Sequence, residues 1–446
     1  SYLHLIERNQ RPISAQLLIR LAECYDIDLK GLTGGEEALS LAGLREVFGD
    51  PVFRDAAIGT QELSDVVAAS PVVAQSVVRL YHAYRDALTN ATEIAARVAD
   101  RDAASNIEST QFPIEAVRDV LHAHNNHFPE IESAAETLWS DALSDARFEG
   151  ELDLALRRHM ADVHGIAVEI TPIEAMGDNL RHFDRHARRL FLSEMLEPPG
   201  RTFALAYQVG LLDHPLLMDE IVQRSGLQDP QTRRLLRVAL ANYFAGAVLM
   251  PYGRFLAAAE QLRYDIEILA RRFRTSFEQA CHRLTTLQRP ASRGIPFFML
   301  RLDHAGNISK RFSAGGFPFS RMGGTCPKWN VHEAFRFPGK ILTQVVEMPD
   351  GTTYFSIART VEGWGGTFRR PRPQLAVGLG CPLEDARRLI YADGRDLESP
   401  ASATPIGINC RLCERLDCSQ RAMPPFNRRL QVNEDQRTVA PFSFVE

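Results

Sequence analysis

No stretch of the 446-residue chain reaches the roughly 18 consecutive apolar residues that a membrane-crossing helix needs. The opening segment, Ser1 to Gln10, has no apolar core behind a basic end and does not read as a signal peptide. Both absences point to a cytoplasmic protein with no membrane partner. An excess of one charge is missing too. The 51 basic and 56 acidic side chains leave −5, which excludes a wholesale polyanion binder and confines any nucleic-acid contact to a local patch. There is no G-x-S-x-G, no P-loop and no H-E-x-x-H, and His282, His304 and His332 stand singly and read as structural. The ordinary proportions, 45% hydrophobic and 24% charged, exclude disorder as the main state, and the length suits about three domains.

Cysteine is scarce but unevenly spread. Of seven, five fall after residue 325, which in a chain without an export signal favours a metal or cluster site over disulfides. Cys410, Cys413 and Cys418 form a C-x2-C-x4-C run, and Cys381 lies 29 residues before it in Gly378-Leu379-Gly380-Cys381. Three close thiolates and one distant one make a four-sulfur site, suited to a 4Fe-4S cluster or to tetrahedral zinc. Zinc ribbons usually pair two C-x2-C knuckles, and only one is present, so the cluster is favoured with zinc left open. Cys326, in Thr325-Cys326-Pro327, is a candidate fifth thiol or substitute ligand, while Cys24 and Cys281 fall in helical patterns and read as core fillers.

The texture along the chain divides it into four. Residues 1–30 hold two short amphipathic helices separated by Asn9 to Pro12, as in the recognition part of a helix-turn-helix, with a preceding helix pair expected before them. On that reading Ser1, Tyr2 and His4 reach base edges and Arg8 and Arg11 reach phosphates of promoter DNA; a plain helical hairpin is the alternative. Residues 31–148 are helical, and Val73, Val77, Leu80, Tyr84, Ala87, Ala91 and Ile94 repeat at 4-3 spacing. That seam packs either inside its own bundle or across a homodimer. Residues 149–290 mix helices with the strand-like Ile166–Ile170 and Arg189–Leu192. Residues 291–446 turn to strands, with a hairpin around Pro349-Asp350-Gly351. The fold class expected is α+β.

Arg301 to Lys340 is the most basic stretch, with seven basic side chains against two acidic ones, or +5. Lys310, Arg311 and Arg321 suit phosphates, and the interleaved aromatics suit a purine ring. A solvated basic face beside a hydrophobic core is the bland alternative.

Taken together these segments resemble a family of bacterial transcription regulators that respond to short-chain fatty acyl groups. The resemblance rests on SYLHLIERNQRP at the start and on FALAYQVGLL and ANYFAGAVLMPYGRF in the middle. It extends to GGTCPKWNVHEAF, MPDGTTYFSIARTV and ATPIGINCRLCERLDC at the end. It implies a helix-turn-helix remnant, a degenerate zincin-like domain of the IrrE type and a cysteine-rich C-terminal domain. Where such peptidases carry H-E-x-x-H, this chain reads Tyr207-Gln208-Val209-Gly210-Leu211, and Leu240 stands where a further acidic ligand is expected. The resemblance therefore implies a regulator rather than an enzyme. It would sense propionyl-CoA or a related short acyl-CoA and control propionate (methylcitrate) or glyoxylate genes. The acyl chain would lie in the old cleft against Phe203, Tyr207 and Tyr243, and the phosphates on Lys310, Arg311 and Arg321. A metallopeptidase that regulates transcription by cleavage is the alternative from another class.

Overall fold

The computed structural model describes residues 44, 47–48, 53, 58–99, 113–143, 151–320, 324–363, 365–368, 371–425, 430–440 and 442–444. The expected helix-turn-helix, with Ser1, Tyr2, His4, Arg8 and Arg11, lies outside the described residues, as do Cys24 and Arg321.

The chain forms two compact units, residues 1–105 and 106–446. In the first, helix α1 (Thr60–Ala69) packs on the long α2 (Pro71–Ala99) around Leu44, Leu63, Val67 and Ala74. The heptad seam of α2 divides: Val77 packs on that core, while Val73, Leu80 and Tyr84 are exposed.

The second unit begins earlier than the sequence texture suggests. α3 (Pro113–Ala123) and α4 (Pro129–Asp141) bury Leu121, Phe128, Ile131 and Leu138 in its main core, so the expected 31–148 linker splits between the units. α5 (Leu152–His164) stops at Gly165, whose φ of +63° is left-handed and suits glycine. A small sheet follows: β1 (Ala167–Thr171), β2 (Arg181–Asp184) and β3 (Arg189–Ser193), in the order β1-β3-β2. Then come α6 (Pro198–Asp213), α7 (Pro215–Arg224) and α8 (Pro230–Leu249). Asp229 caps α8 by accepting from the Thr232 amide at 2.7 Å, and Pro251 prevents its continuation. α9 (Tyr252–Gln261), α10 (Ile266–Arg272) and α11 (Phe277–Leu284) complete the helical half.

One ion pair crosses this core. Arg283 of α11 donates to both oxygens of Glu132 on α4, at 2.6 and 2.9 Å, with both side chains 1% exposed. Burial alone would raise the Glu132 pKa. The Arg283 charge, with hydrogen bonds from Arg283 and Tyr243, outweighs it and holds the carboxyl below its usual range.

A six-stranded sheet carries the rest: β4 (Phe298–Leu302), β5 (Ile308–Ser313), β6 (Leu342–Glu347), β7 (Thr353–Glu362), β8 (Gln374–Pro382) and β9 (Ala403–Pro405). Its order is β5-β4-β8-β7-β6-β9, antiparallel except where β9 runs parallel to β6. Residues alternate between two faces. Met299, Phe355, Ile357, Val377, Leu379 and Cys381 join the helical core, while Phe298, Leu300, Tyr354 and Ala358 join a second cluster with Phe317, Cys326 and Trp329. Gly380 belongs to that second face, where a Cβ would stand 2.2 Å from the Phe298 ring, so only glycine lets the strands approach. Phe317 and Trp329 are buried there, which makes them core residues and not a purine platform.

Candidate ligand cavity and cysteine centre

A cavity of about 490 Å³ opens between α6, α8 and the start of α11. Phe203 and Tyr207 of α6, Asn242 and Tyr243 of α8, and Lys310 and Phe312 of β5 all line it. Four of the six expected ligand residues thus converge. Arg311 does not. It neighbours Lys310 on a strand and so points to the other face, where it pairs with Glu115 and donates to the Ser320 carbonyl. The expectation that it joins Lys310 in meeting the ligand's phosphates is corrected accordingly.

The positions where the resemblance implies metal ligands in peptidases carry other side chains. Gln208 is buried and accepts from Arg181, whose guanidinium lies 4.2 Å from the Tyr207 ring centroid. Burial lowers the Arg181 pKa from its ordinary value. Leu240 is fully buried. The Tyr243 hydroxyl donates to Glu132 at 2.6 Å, so the ion pair holds this wall of the cavity in place. Burial, with Lys310 adding to it, drives the His282 pKa down to about 3, so the ring on the wall is neutral. At the mouth Glu278 takes Lys310 at 2.7 Å and Arg301 at 2.9 Å, two cations on one carboxylate.

Among the wall residues that escaped the sequence reading are Arg181, His282 (read only as structural) and Asn126. Asn126 is 3% exposed, and its side-chain nitrogen has no hydrogen-bond partner among the described residues. Asn125 and Asn126 both have positive φ, 49° and 53°, so the Asn-Asn pair was a readable turn signal. Nothing local in the sequence shows that this turn faces a cavity.

The cysteine run sits in a segment with little regular structure, held by arginines. Arg421 is buried and donates to the carbonyls of Cys410 at 2.8 Å and Cys413 at 3.2 Å, and to that of Arg415. Arg415 in turn donates to the carbonyls of Ile406, Glu347 and Met348 at 2.8–3.1 Å, which ties the knuckle to β6. The Cys410 sulfur accepts the Ala422 amide at 3.4 Å.

The thiol brought to this knuckle is Cys326, not Cys381. Burial pushes the Cys326 thiol up, against backbone bonds from Gly407 and Lys328, and Cys413 and Cys410 are near enough to push it further. Gly407 abuts Cys413, where an added Cβ would lie 2.6 Å from its sulfur. Cys381 points into the helical core on the other sheet face, beside Asp385 and Arg388, and burial raises its thiol pKa strongly. The expectation of Cys381 as fourth ligand is corrected by strand alternation, which places its side chain on the wrong side of β8.

Residues 286–442 match the short-chain fatty acyl coenzyme A regulator C-terminal domain, and residues 161–285 match the IrrE N-terminal-like domain. Over 445 residues the chain is 40% identical to the HTH-type transcriptional regulator RamB of Mycobacterium tuberculosis, covering 99% of this chain and 92% of that protein. The chain belongs to the short-chain fatty acyl coenzyme A regulator family. Other members are PrpR of M. tuberculosis, 39% identical over 100% of this chain and 90% of its own length, and the propionyl-CoA carboxylase regulator of Cereibacter sphaeroides, 38% identical over 100% and 93%. A solved M. tuberculosis transcriptional regulator superposes with a TM-score of 0.71 at 43% identity, covering 74% of this chain and 99% of that one. Within the IrrE-like segment the chain reads Tyr207-Gln208-Val209-Gly210-Leu211.

Proposed function

We propose that this chain is a cytoplasmic, DNA-binding transcription regulator that senses a short-chain acyl-CoA and does no hydrolysis. The observation that carries the reading is the cavity at Tyr207. An aromatic, mostly apolar slot stands where a peptidase would hold zinc, with cations at its mouth. Phe203, Tyr207 and Tyr243 suit a short acyl chain, and the spare Asn126 amide suits a carbonyl of the thioester or pantetheine arm. Lys310 and Arg301 leave positive charge for phosphate; Arg321 and the DNA contacts at Ser1, Tyr2, His4, Arg8 and Arg11 rest on the sequence alone.

The cysteines complete the proposal. Cys326 neighbours Cys410 and Cys413, and with Cys418 from the same C-x2-C-x4-C run they would supply four sulfurs, with a buried guanidinium, Arg421, beside the charge that four thiolates would carry. An iron–sulfur cluster there would order the tail, and tetrahedral zinc is the other occupant of the same donor set. The exposed Val73, Leu80 and Tyr84 stripe of α2 suits a homodimer, as two-fold operators need. Acyl-CoA would act by binding two arrangements of that dimer unequally.

The test is DNA affinity, for the propionate or glyoxylate promoters regulated in this family, measured with and without saturating propionyl-CoA. A shift supports the sensor. Unchanged affinity sinks it, and zinc-dependent cleavage of a co-expressed repressor would restore the peptidase reading.

A further inference from the structure

At the far end of α6 from its proline start, Asp213 sits between two imidazoles of α5. His159 Nε2 is 2.8 Å from one carboxylate oxygen and His164 Nε2 is 2.5 Å from the other. These three ligand atoms lie within 4.8 Å of one another. We infer that His159, His164 and Asp213 form a second metal site, for a divalent transition ion such as zinc.

Three features carry the inference. The donor set is two imidazole nitrogens and one carboxylate oxygen, which zinc, copper and nickel accept and magnesium and calcium disfavour. The ligands come from two helices, so they are held by the fold and not by one flexible loop. Their side chains are 10%, 20% and 14% exposed, so the trio is mostly desolvated but open on one side, where a water completes a tetrahedron. Asp213 needs a cation as well. It is the last residue of α6, where the helix dipole is negative and a carboxylate is disfavoured. In the absence of metal the imidazoles supply that compensation by hydrogen bonding, and a metal ion does it with full charge.

The site is separate from the cysteine centre and from the vestigial peptidase position. Tyr207 is six residues before Asp213 on the same helix, about 9 Å along its axis at ~1.5 Å per residue. The ion would therefore pin α5 to the helix that lines the cavity. The inference does not depend on what the cavity binds.

The experiment is titration of the full chain, with its cysteine centre loaded, by Zn²⁺ and by Co²⁺. A single further equivalent is expected. Its cobalt form should show d–d absorption without a thiolate-to-metal charge-transfer band, and zinc should raise Tm. His164→Gln and Asp213→Asn, both able to keep hydrogen bonds, should each weaken binding by at least about tenfold. The cysteine-centre absorption should stay intact in both. No further equivalent overturns the site, as does a charge-transfer band or binding that survives both substitutions. If His164→Gln misfolds, Asp213→Asn alone decides, because it preserves the shape of the side chain.

Discussion

Between Pro113 and Leu287 the described chain buries Leu121, Phe128, Leu205, Leu240, Phe244, Leu284 and dozens of their neighbours in one continuous core. Between Ala403 and Phe444 the regular structure amounts to strands of two or three residues, and the backbone is gathered by the guanidiniums of Arg415 and Arg421. The first region holds its shape by apolar burial and by the Glu132–Arg283 pair. The second has little to bury, and on the proposed reading a centre bound by thiolates would supply what packing does not.

Breaking the pair in the first region should have the largest effect. Arg283→Met strands the Glu132 carboxylate in the core and should cost about 3–5 kcal/mol, read as lost denaturation midpoint. Joining it with Glu132→Leu should recover much of that loss; no recovery would mean the pair does more than compensate its own burial.

The second region should fail locally. Cys413→Ser should release the metal and expose the chain after β9 to protease while the helical half stays resistant. Cys326→Ser should do the same, and Cys381→Ser should leave metal content unchanged. Metal loss in Cys381→Ser would reverse the assignment made from β8.

Within the cavity, Tyr207→Ala removes one aromatic wall, equivalent to roughly 1.5–3 kcal/mol of burial, and should weaken acyl-CoA binding about 10–100-fold by calorimetry. An unchanged Kd would move the ligand elsewhere.

Acid should show the most graded response. His282, with a pKa of about 3 when folded, takes up no proton that the unfolded chain accepts below about 6.5. Stability is therefore complete above that pH and declines as pH falls toward 3. Glu132 adds to it: its depressed pKa stabilises the fold above the usual carboxylate value of about 4.3 and is lost below it. His282→Gln should flatten the upper part of the melting-temperature profile and leave the lower part in place.

Much of this was readable beforehand for identifiable reasons. The loss of H-E-x-x-H at Tyr207–Leu211, the knuckle Cys410–Cys413 and the Pro349-Asp350-Gly351 hairpin are local patterns whose chemistry needs no partner from afar. Asn126, Arg181 and Glu132 were silent because each acquires its role from residues tens of positions away: Arg181 from Gln208, Glu132 from Tyr243 and Arg283.

Residue type and close spacing settle which chemistries the chain can offer: thiolates for a metal, aromatics for an apolar ligand, and no imidazole pair at the peptidase position. Which of two distant cysteines lies beside the knuckle was decided by the sheet. Cys326 and Cys381 are equal as sulfur donors. The two-residue repeat of β8 turns Cys381 into the helical core while the segment before Trp329 carries Cys326 to the opposite face. Likewise Lys310 and Arg311 are adjacent cations, and the pleat alone sends one to the cavity and the other to Glu115.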